Sequence, residues 1–518
     1  MDVSFGTLWE AIAERMPRSI AISEPGFDRD YGQLERRAAR LAGALAESGV
    51  RAGDKVACYL HNGAAYLETV FAAFKLGAVP VNVNYRYTRD ELAELLTDAD
   101  AKALVFSSEL AANIVNLPPM RLVVGTDALE ELLAATPPRP PEPRPGTDRL
   151  FMYTGGTTGK PKGVIWQLSD LLNSLLVPIF RPLGVPELPA TLGEAVRIAE
   201  RSADLAPRTM PVVPLMHGTG LFNSMGALLV GGRVVTARPG GLDAEHVWRR
   251  VAEQRVSTLI VAGNAVGRPL VDELRKAESA GAPHDLGSLR SVISSGTAFS
   301  DELKRALHQR AEVTVFDAIA SSEGGPFAFA VTSSVRDLPS RFHPVPGTRV
   351  ITPGGAEVGP GETGVLAYSG PMPLGYHNDS AKTATTFRDI DGRRHSVPGD
   401  LAQLEPDGAI RFLGRSSGVI NTGGEKVHPP EVEEVLLDHP DVTDCVVIGI
   451  PDDHWGERVA ALVATASPDL TAADLHAWAR RTLAGHKIPR QITFRPELPR
   501  TPTGKLELAR AKSLLENP

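Results

Sequence analysis

The sequence predicts an α/β fold, with a large N-terminal domain of helices and mainly parallel sheets and a small α+β C-terminal domain. The chain has 518 residues, of which 42% are apolar and 22% charged, so it is long enough for two well-packed domains. Strand and helix patterns alternate through its first hundred residues. A short unit with its own strands and helices follows residue 417. We therefore expect domains at 1–416 and 417–518.

The alternation near the N-terminus predicts a parallel sheet. Apolar spacing predicts helices over 31–49 and 64–78, and short runs of β-forming residues predict strands over 55–60 and 79–84. Strands that alternate with helices in this way are typical of parallel sheets with crossover helices.

The C-terminal unit begins after a glycine-rich stretch at 414–424. Its patterns predict a helix, two strands and a second helix, at 431–440, 444–451, 458–466 and 475–483. The proline-rich segment 137–146 can sustain neither helix nor sheet, and we expect an extended surface connection there. The polar segment 185–207 is expected to be a surface excursion.

The composition excludes several classes of protein. The net charge of −8 gives no reason to expect nucleic acid or an anionic membrane as a partner. Cys58 and Cys445 cannot form a disulfide framework and are expected to be inert thiols. We expect no signal peptide, because the N-terminal segment carries an early acidic residue and lacks a continuous apolar core, and we expect no membrane span, because no apolar run reaches roughly 20 residues. We expect a soluble, cytoplasmic protein.

The segment FMYTGGTTGKPKGV at 151–164 is typical of a phosphate-binding loop. Glycines let backbone N–H groups surround a phosphate, while threonines and lysines add donors and charge. A Walker A loop is excluded because only three residues separate Gly155 from Gly159, and Pro161 follows Lys160. No dinucleotide-binding G-x-G-x-x-G spacing occurs in the loop. A glycine-rich hairpin with exposed lysines is the alternative.

This segment resembles the signature of the adenylate-forming superfamily, which contains acyl-CoA synthetases, luciferase-like enzymes and adenylation domains. The usual signature is [YF]-T-S-G-[ST]-T-G-x-P-K-G-V, and Gly155 stands here in place of its serine. The resemblance implies an ATP-dependent enzyme that converts a carboxylic acid to an acyl-adenylate. The implied phosphate-binding residues are Thr154, which also has a catalytic role, and Gly155, Gly156, Thr157, Thr158, Gly159 and Lys162.

Further motifs of this family follow in order. FKLGAVPVNVN at 74–84 resembles an early family element, and PLMHGTG at 214–220 resembles the segment whose histidine, here His217, lies beside the acyl pocket and takes part in catalysis. SSGTAFS at 294–300 resembles the adenine-binding loop, which implies adenine contacts from Gly296, Thr297 and Ala298.

FDAIASSEGG at 316–325 resembles the family's acidic element. It implies that Ser322 binds phosphate and that Glu323 is a catalytic residue that holds Mg²⁺, an ion that favours one or two carboxylates together with nucleotide phosphates. The preceding residues Asp317, Ala318 and Ile319 are implied to contact the nucleotide. Many relatives place an aromatic residue at the position of Ile319.

The remaining nucleotide contacts are implied by three elements. VPGDLA at 397–402 places Asp400 on the ribose hydroxyls, and LGRSSG places Arg415 on the ribose or phosphate. PRTPTGKLELARAK at 499–512 resembles the C-terminal element whose lysine, here Lys505, bridges the incoming carboxylate and the α-phosphate. The resemblance also implies a C-terminal domain that is mobile and turns about a hinge.

The hinge segment departs from the family pattern G-R-x-K-D-x-I-K-x-x-G. Gly418 replaces the hinge acid, while Ser417 and Asn421 replace two lysines. Gly424 stands where the coenzyme A tunnel needs close backbone approach. These changes leave open an enzyme that forms the adenylate well and the thioester poorly.

The segment INTGGEKV at 420–427 most resembles that of bacterial acyl-CoA synthetases that act on steroid side-chain acids and other bulky alicyclic carboxylates. ATP, Mg²⁺ and coenzyme A are the implied cofactors. A fatty acid as substrate, a separate carrier protein as acceptor, a luciferase-like oxygenase, a non-catalytic binding protein and a homodimer all stay open. The implied acyl-pocket residues, a mixture of small, polar and apolar side chains, are His217, Phe222, Met225, Gly263, Asn264, Thr297 and Ile319.

Overall fold

The structure is a computed structural model of the chain. It describes residues 4–155, 161–175, 179–180, 183–187, 189–202, 204–415, 418–422, 425–452, 456–483, 485–501 and 506–516. Six of the predicted site residues lie outside these described residues, namely Gly156, Thr157, Thr158, Gly159, Gly424 and Lys505.

Helices and strands alternate along most of the described chain. The helices are α1 (Phe5–Arg15), α2 (Tyr31–Glu47), α3 (Ala64–Leu76), α4 (Arg89–Asp98), α5 (Thr126–Ala135), α6 (Leu168–Ser174), α7 (Leu192–Arg201), α8 (Gly218–Leu228), α9 (Ala244–Glu253), α10 (Gly263–Ser279), α11 (Asp301–His308), α12 (Ser380–Thr386), α13 (Pro429–Leu437), α14 (Ala472–Ala479) and α15 (Leu508–Glu516). The strands are β1 (Ile20–Glu24), β2 (Phe27–Asp30), β3 (Lys55–Tyr59), β4 (Val79–Asn82), β5 (Ala101–Phe106), β6 (Leu122–Gly125), β7 (Arg149–Gly155), β8 (Pro161–Gln167), β9 (Arg208–Pro211), β10 (Arg233–Val235), β11 (Thr258–Val261), β12 (Ser291–Ser295), β13 (Thr314–Ser321), β14 (Gly324–Thr332), β15 (His343–Pro344), β16 (Thr348–Ile351), β17 (Thr363–Tyr368), β18 (Gly375–Tyr376), β19 (Phe387–Ile390), β20 (Arg393–Ser396), β21 (Asp400–Leu404), β22 (Ile410–Arg415), β23 (Ile420–Thr422), β24 (Glu425–Val427), β25 (Val442–Asp452), β26 (Gly456–Thr465) and β27 (Gln491–Arg495).

Two largely parallel sheets confirm the predicted α/β class. One has the order β15-β14-β13-β12-β11-β9-β10-β1-β2, and it is parallel from β13 to β1. The other has the order β18-β8-β7-β4-β3-β5-β6, and it is parallel from β7 to β6. The predicted strands 55–60 and 79–84 are the neighbours β3 and β4 of this second sheet.

The predicted helices 31–49 and 64–78 are α2 and α3, and local signals explain their ends. Helix α2 begins with a capping box, in which the Asp30 side chain accepts from the backbone N–H of Gln33 and the Gln33 side chain accepts from the N–H of Asp30. Helix α3 ends at Gly77, whose φ of +68° favours glycine.

A third sheet of the N-terminal part is antiparallel and was not predicted separately. It has the order β19-β20-β17-β21-β22, with β16 on β17, and every pair in it is antiparallel. Its strands are short and several are rich in charge, such as Arg393–Ser396 with the sequence RRHS. The apolar alternation that marks a strand in a sequence is therefore weak here.

The C-terminal unit has its own sheet, with the order β24-β23-β26-β25 and β27 parallel to β26. The four predicted elements are present as α13, β25, β26 and α14. Strand β27 and helix α15 were not predicted. Helix α13 and strand β25 share an apolar core that includes Val432, Leu436 and Cys445.

The two irregular segments of the N-terminal part behave differently. Residues 137–146 are extended as predicted and lie along α2, where the N–H of Arg139 donates to the carbonyl of Ala39 at 2.9 Å. The expectation of a surface excursion at 185–207 is wrong for α7, because its Ala195, Ile198 and Ala199 are buried in the same core cluster as α1. These residues share one helical face, and the polar residues between them hid that face.

Both cysteines are buried and free, and burial raises the pKa of each thiol above its ordinary value, as expected of inert thiols. Within the described ranges, no helix has both the length and the apolarity needed to cross a bilayer.

Candidate active site

The predicted phosphate loop joins the antiparallel strands β7 and β8. Thr154 pairs in register with Lys162, and Gly155 with Pro161. The Lys162 ammonium donates to the carboxylate of Asp379, and this hydrogen bond is the main cause that lowers the pKa of Asp379. Lys162 therefore lies in an ion pair at the exit of the loop, so any contact it makes with phosphate has to be shared with Asp379.

Glu323 lies in the turn between β13 and β14, where Ser321 pairs with Gly324. Its side chain is 9% exposed. Its Oε1 accepts from the phenol of Tyr376 at 2.7 Å, and its backbone carbonyl accepts from the Ser396 hydroxyl at 2.6 Å. The turn thus holds a nearly buried carboxylate in a defined place.

The same turn is fastened to the strand that leaves the phosphate loop. The indole N–H of Trp166, in β8, donates to the carbonyl of Ser322 at 3.2 Å. Strand β18, which carries Tyr376, pairs with β8 through the register pair Tyr376–Val164. The structure therefore connects the turn that contains the predicted metal residue Glu323 to the strands β8 and β18, which follow β7 with the predicted phosphate residue Thr154 in the sheet.

The segment Gly375–Asp379 was missed by the sequence reasoning, although it contacts both Lys162 and Glu323. One local signal was available, because Asp379 caps α12 by accepting from the N–H of Lys382 at 2.8 Å. Nothing in the spacing indicates that this cap residue also binds a lysine more than two hundred positions earlier.

The predicted adenine loop is held by the start of α10. The N–H of Asn264 donates to the carbonyl of Ala298 at 2.8 Å, and the Asn264 side chain accepts from the N–H of Ser300 at 2.8 Å. Gly263 has a φ of +47°, and a Cβ there would lie 2.2 Å from the Ala298 oxygen. By contrast, among the described residues no atom beyond its chain neighbours lies within 4 Å of a Cβ built on Gly296. Gly263 and Asn264, two predicted acyl-pocket residues, thus pack against the predicted adenine loop on one side, while Gly296 marks its open side.

The side chains of Asp317 and Ile319 are engaged within the protein. Asp317 is bound by the buried ammonium of Lys304 at 2.8 Å, while burial raises the pKa of its carboxyl. Ile319 belongs to an apolar cluster with Phe327 and Ala402, between the nine-stranded and the antiparallel sheets. The neighbouring Ala318 pairs with Ser295 and Phe329 in the sheet. Contacts of these residues with the nucleotide stay predictions. Because the carboxylate of Asp317 is already paired with Lys304, the backbone of Asp317 is the group that is available to the nucleotide.

The predicted acyl-pocket residues on α8 lie on its first two turns. His217 is the half-buried residue that precedes the helix, and its N–H donates to the carbonyl of Pro214 at 3.1 Å. Phe222 is half-buried and meets the ring of Trp166 edge to face, with centroids 6.1 Å apart. Met225 is fully buried in the core cluster. One helix therefore connects the predicted pocket to Trp166.

The predicted ribose residues are neighbours in the antiparallel sheet. Asp400 is 5% exposed and lies directly opposite Arg415 in the register of β21 and β22. Gly418, the predicted hinge, is exposed, and no atom of the described part of the chain lies within 4 Å of a Cβ built on it, apart from its chain neighbours.

A cavity of about 770 Å³ lies between the two parts of the chain. Asn264 lines it from the N-terminal part, and Asp444, Arg500 and Thr501 line it from the C-terminal part. The chain that leads to Lys505 therefore approaches the start of α10, beside the predicted adenine loop.

Comparison with known proteins agrees with this arrangement. The model of the AMP-binding enzyme family matches residues 9–377, and that of the AMP-binding enzyme C-terminal domain matches residues 431–505. The chain belongs to the AMP-binding enzyme family. The predicted resemblance is thereby confirmed.

Relatives of this AMP-binding enzyme are CoA ligases. The chain is 36% identical to the 3-oxocholest-4-en-26-oate--CoA ligase of Rhodococcus rhodochrous, over 99% of this chain and 96% of that one. It is 35% identical to the medium/long-chain-fatty-acid--CoA/3-oxocholest-4-en-26-oate--CoA ligase of Mycolicibacterium smegmatis, over 100% and 97%. The predicted enzyme class, an acid–thiol ligase, is confirmed, and the names of these relatives favour coenzyme A over a separate carrier protein as the acceptor.

The fold of this AMP-binding enzyme is also found in solved structures. The crystal structure of the anthranilate CoA ligase AuaEII in complex with anthranoyl-AMP superposes with a TM-score of 0.84. The two chains are 24% identical, and the match covers 99% of this chain and 98% of the other. This likeness confirms the predicted fold.

Proposed function

We propose that this AMP-binding enzyme uses ATP and Mg²⁺ to convert a bulky apolar carboxylic acid into an acyl-adenylate, and then transfers the acyl group to coenzyme A. The observation that carries the proposal is the set of hydrogen bonds and strand pairs that connects the strand after the phosphate loop to the turn containing Glu323. Trp166 and Tyr376 tie Glu323 to the strand that begins at the exit of the loop. In the proposal, the loop binds the phosphates and Glu323 supplies the fixed carboxylate.

The first half-reaction has to bring a carboxylate against the α-phosphate, although both are negative. Catalysis is then mainly a matter of positioning and of cancelling charge. In the proposal, Lys505 bridges the two anions, and Thr154 with the rest of the loop holds the phosphates. Its support is that Arg500 and Thr501, just before Lys505 in the chain, line the same cavity as Asn264.

The donor set fits Mg²⁺ as part of the nucleotide complex. Among the described residues, no group of three or more His, Cys, Asp and Glu side chains could hold a metal ion. Mg²⁺ bound to a nucleotide uses one or two carboxylates together with phosphate oxygens, and Glu323 offers such a carboxylate beside the loop. Glu323 would hold the ion, which neutralises phosphate charge when bound.

The nucleoside would lie against the loop held by α10. The open side of Gly296 and the support of Ala298 by Asn264 favour an adenine contact there. Asp400, opposite Arg415 in the antiparallel sheet, would accept from the ribose hydroxyls. In the second half-reaction the C-terminal domain, from 417 onward, would turn at Gly418 and present Gly424 to coenzyme A.

The acid is proposed to be large and apolar. The relatives named above are ligases of a steroid acid and of medium- and long-chain fatty acids. Here the implied pocket contains the half-buried aromatic side chain of Phe222, which suits an apolar acid, while the space beside Gly263 is already filled by the Ala298 carbonyl.

The assay is incubation with ATP, Mg²⁺ and a panel of steroid, alicyclic and fatty acids, with and without coenzyme A. Mass spectrometry then separates the adenylate from the thioester. We expect an adenylate without coenzyme A and a thioester with it, for a bulky apolar acid. Adenylate that persists in the presence of coenzyme A would contradict the second half of the proposal.

Lys505 is tested by Lys505→Ala. Losing one preorganised electrostatic contact should lower acid-dependent pyrophosphate exchange by about 10²–10³-fold. The matched control is Lys512→Ala, a lysine of α15 that the proposal gives no role. Wild-type exchange in Lys505→Ala would refute the assignment.

A further inference from the structure

Tyr376 makes a direct contact with the proposed metal carboxylate. Its phenol donates to Oε1 of Glu323 at 2.7 Å, and the two residues are 8% and 9% exposed. Across the described ranges, no other side chain donates to that carboxylate. The hydrogen bond is therefore the main constraint that side chains place on the direction of the Glu323 carboxyl group.

Tyr376 is itself fixed by its surroundings. Its backbone N–H donates to the hydroxyl of Thr383 at 2.9 Å, and its strand pairs with β8 next to the phosphate loop. Its ring packs against Phe387, with centroids 6.0 Å apart. A phenol anchored through both its backbone and its ring can hold a carboxylate in one orientation.

The physical effect follows from the chemistry of the pair. A hydrogen bond to a charged acceptor is roughly twice as strong as a neutral one, and it fixes a side chain that otherwise rotates about three bonds. With Oε1 bound by Tyr376, the second oxygen Oε2 is the one available to a cation. Groups that orient a metal ligand in this way raise metal affinity without touching the metal.

We propose that Tyr376 is a positioning residue, which orients Glu323 for the metal ion of Mg²⁺·ATP and couples that carboxylate to the strand leaving the phosphate loop. This inference rests on the proposed function, because it takes Glu323 as the metal ligand. The hydroxyl of Tyr376 then strengthens binding of the metal complex of the nucleotide, and it changes neither the binding of metal-free nucleotide nor folding.

The test is Tyr376→Phe, which keeps the ring against Phe387 and removes only the hydroxyl. Calorimetric titration of the full-length protein, with the acid omitted, measures the affinity for Mg²⁺·ATP and for ATP in excess EDTA. We expect the affinity for Mg²⁺·ATP to fall by about 10- to 100-fold, as for other groups that orient a metal ligand. The affinity for metal-free ATP should stay within about twofold of wild type.

Two further variants separate positioning from folding. Tyr368→Phe is the matched control, since Tyr368 is a buried tyrosine of strand β17, in the antiparallel sheet, that packs on Phe327. It should bind both forms of ATP like wild type. If Tyr376→Phe does not fold, Thr383→Val provides the second route, because it releases the backbone of Tyr376 and should weaken Mg²⁺·ATP binding in the same selective way.

A double-mutant cycle distinguishes this inference from the proposed function. In a Glu323→Gln background, Tyr376→Phe should cause no further loss of Mg²⁺·ATP affinity, because the two residues act as one unit. Unchanged affinity in Glu323→Gln itself would overturn the metal assignment in the proposed function. A large loss in Glu323→Gln with none in Tyr376→Phe, or an equal loss of metal-free ATP binding in Tyr376→Phe, would overturn the role of Tyr376 alone.

Discussion

The substitution Gly263→Ala should displace the proposed adenine loop, and the structure gives the size of the effect. A Cβ on Gly263 would lie 2.2 Å from the Ala298 oxygen and 2.3 Å from Oγ1 of Thr297. Ordinary Cβ contacts begin at 3.4 Å. The loop therefore has to retreat by about 1 Å, a displacement that can cost about 10²-fold in an oriented reaction.

The backbone of Gly263 adds a second cost that a control can isolate. Its φ of +47° lies in the left-handed region, which costs a residue with a Cβ about 1–2 kcal/mol. Gly281, just after the other end of α10, has a φ of +72° with no atom within 4 Å of a Cβ. Gly281→Ala therefore carries the same kind of backbone cost without the collision, which makes it the matched control.

The assay is acid-dependent pyrophosphate exchange as a function of ATP concentration, alongside thermal unfolding. We expect Gly263→Ala to lose about 10- to 100-fold in kcat/KM for ATP, while Gly281→Ala stays within about twofold of wild type. Gly263→Ala should also have the lower Tm of the two. Equal Tm values together with a wild-type KM for ATP in Gly263→Ala would refute the reasoning, since the collision would then have no consequence at the loop.

Two further predictions concern the C-terminal part of the chain. Burial in α13 raises the pKa of Glu433 from 4.5 to about 7. Between these two pH values the native state therefore binds more protons than the unfolded state, so the free energy of unfolding falls as pH rises from 4.5 to about 7. The free energy of unfolding of Glu433→Gln should therefore exceed that of wild type by up to about 3 kcal/mol at pH 8 but by little at pH 4.5, as measured by thermal unfolding. A gain that does not depend on pH would contradict this. Gly418→Asp should change stability by no more than about 0.5 kcal/mol, because Gly418 is exposed and, among the described residues, no atom beyond its chain neighbours lies within 4 Å of a Cβ built there. Thermal unfolding and pyrophosphate exchange at wild-type values would confirm that the Gly418 backbone tolerates a side chain, whereas a clear loss of stability would contradict it.

The parts of the fold that were predictable are those whose pattern is local. Helices α2 and α3 have clear apolar faces and clear ends, and the strands β25 and β26 of the C-terminal unit are long apolar runs. The antiparallel sheet was missed because strands such as β20 carry charged residues without alternation. Helix α7 was missed because its buried face consists of only three residues among polar ones.

The candidate site shows the same division between local and distant information. The motifs that contain Thr154, Glu323 and Asn264 could be recognised because each is a continuous stretch of chain. The partners of those residues are set by tertiary structure. The pairing of Lys162 with Asp379, and of Asp317 with Lys304, joins side chains whose spacing in sequence carries no signal. The inward packing of Ile319 likewise depends on the antiparallel sheet that lies against it.

Trp166 gives the protein a natural optical reporter. Its indole N–H is bonded to the turn that carries Glu323, and its ring meets Phe222 on the helix of the proposed acyl pocket. The ring is 2% exposed. One chromophore thus contacts both the turn of the proposed metal ligand and the helix of the proposed acyl pocket, so its emission should respond separately to nucleotide and to acid. In a variant whose other four tryptophans are replaced by phenylalanine, the order in which the two substrates bind can then be followed in real time without any label.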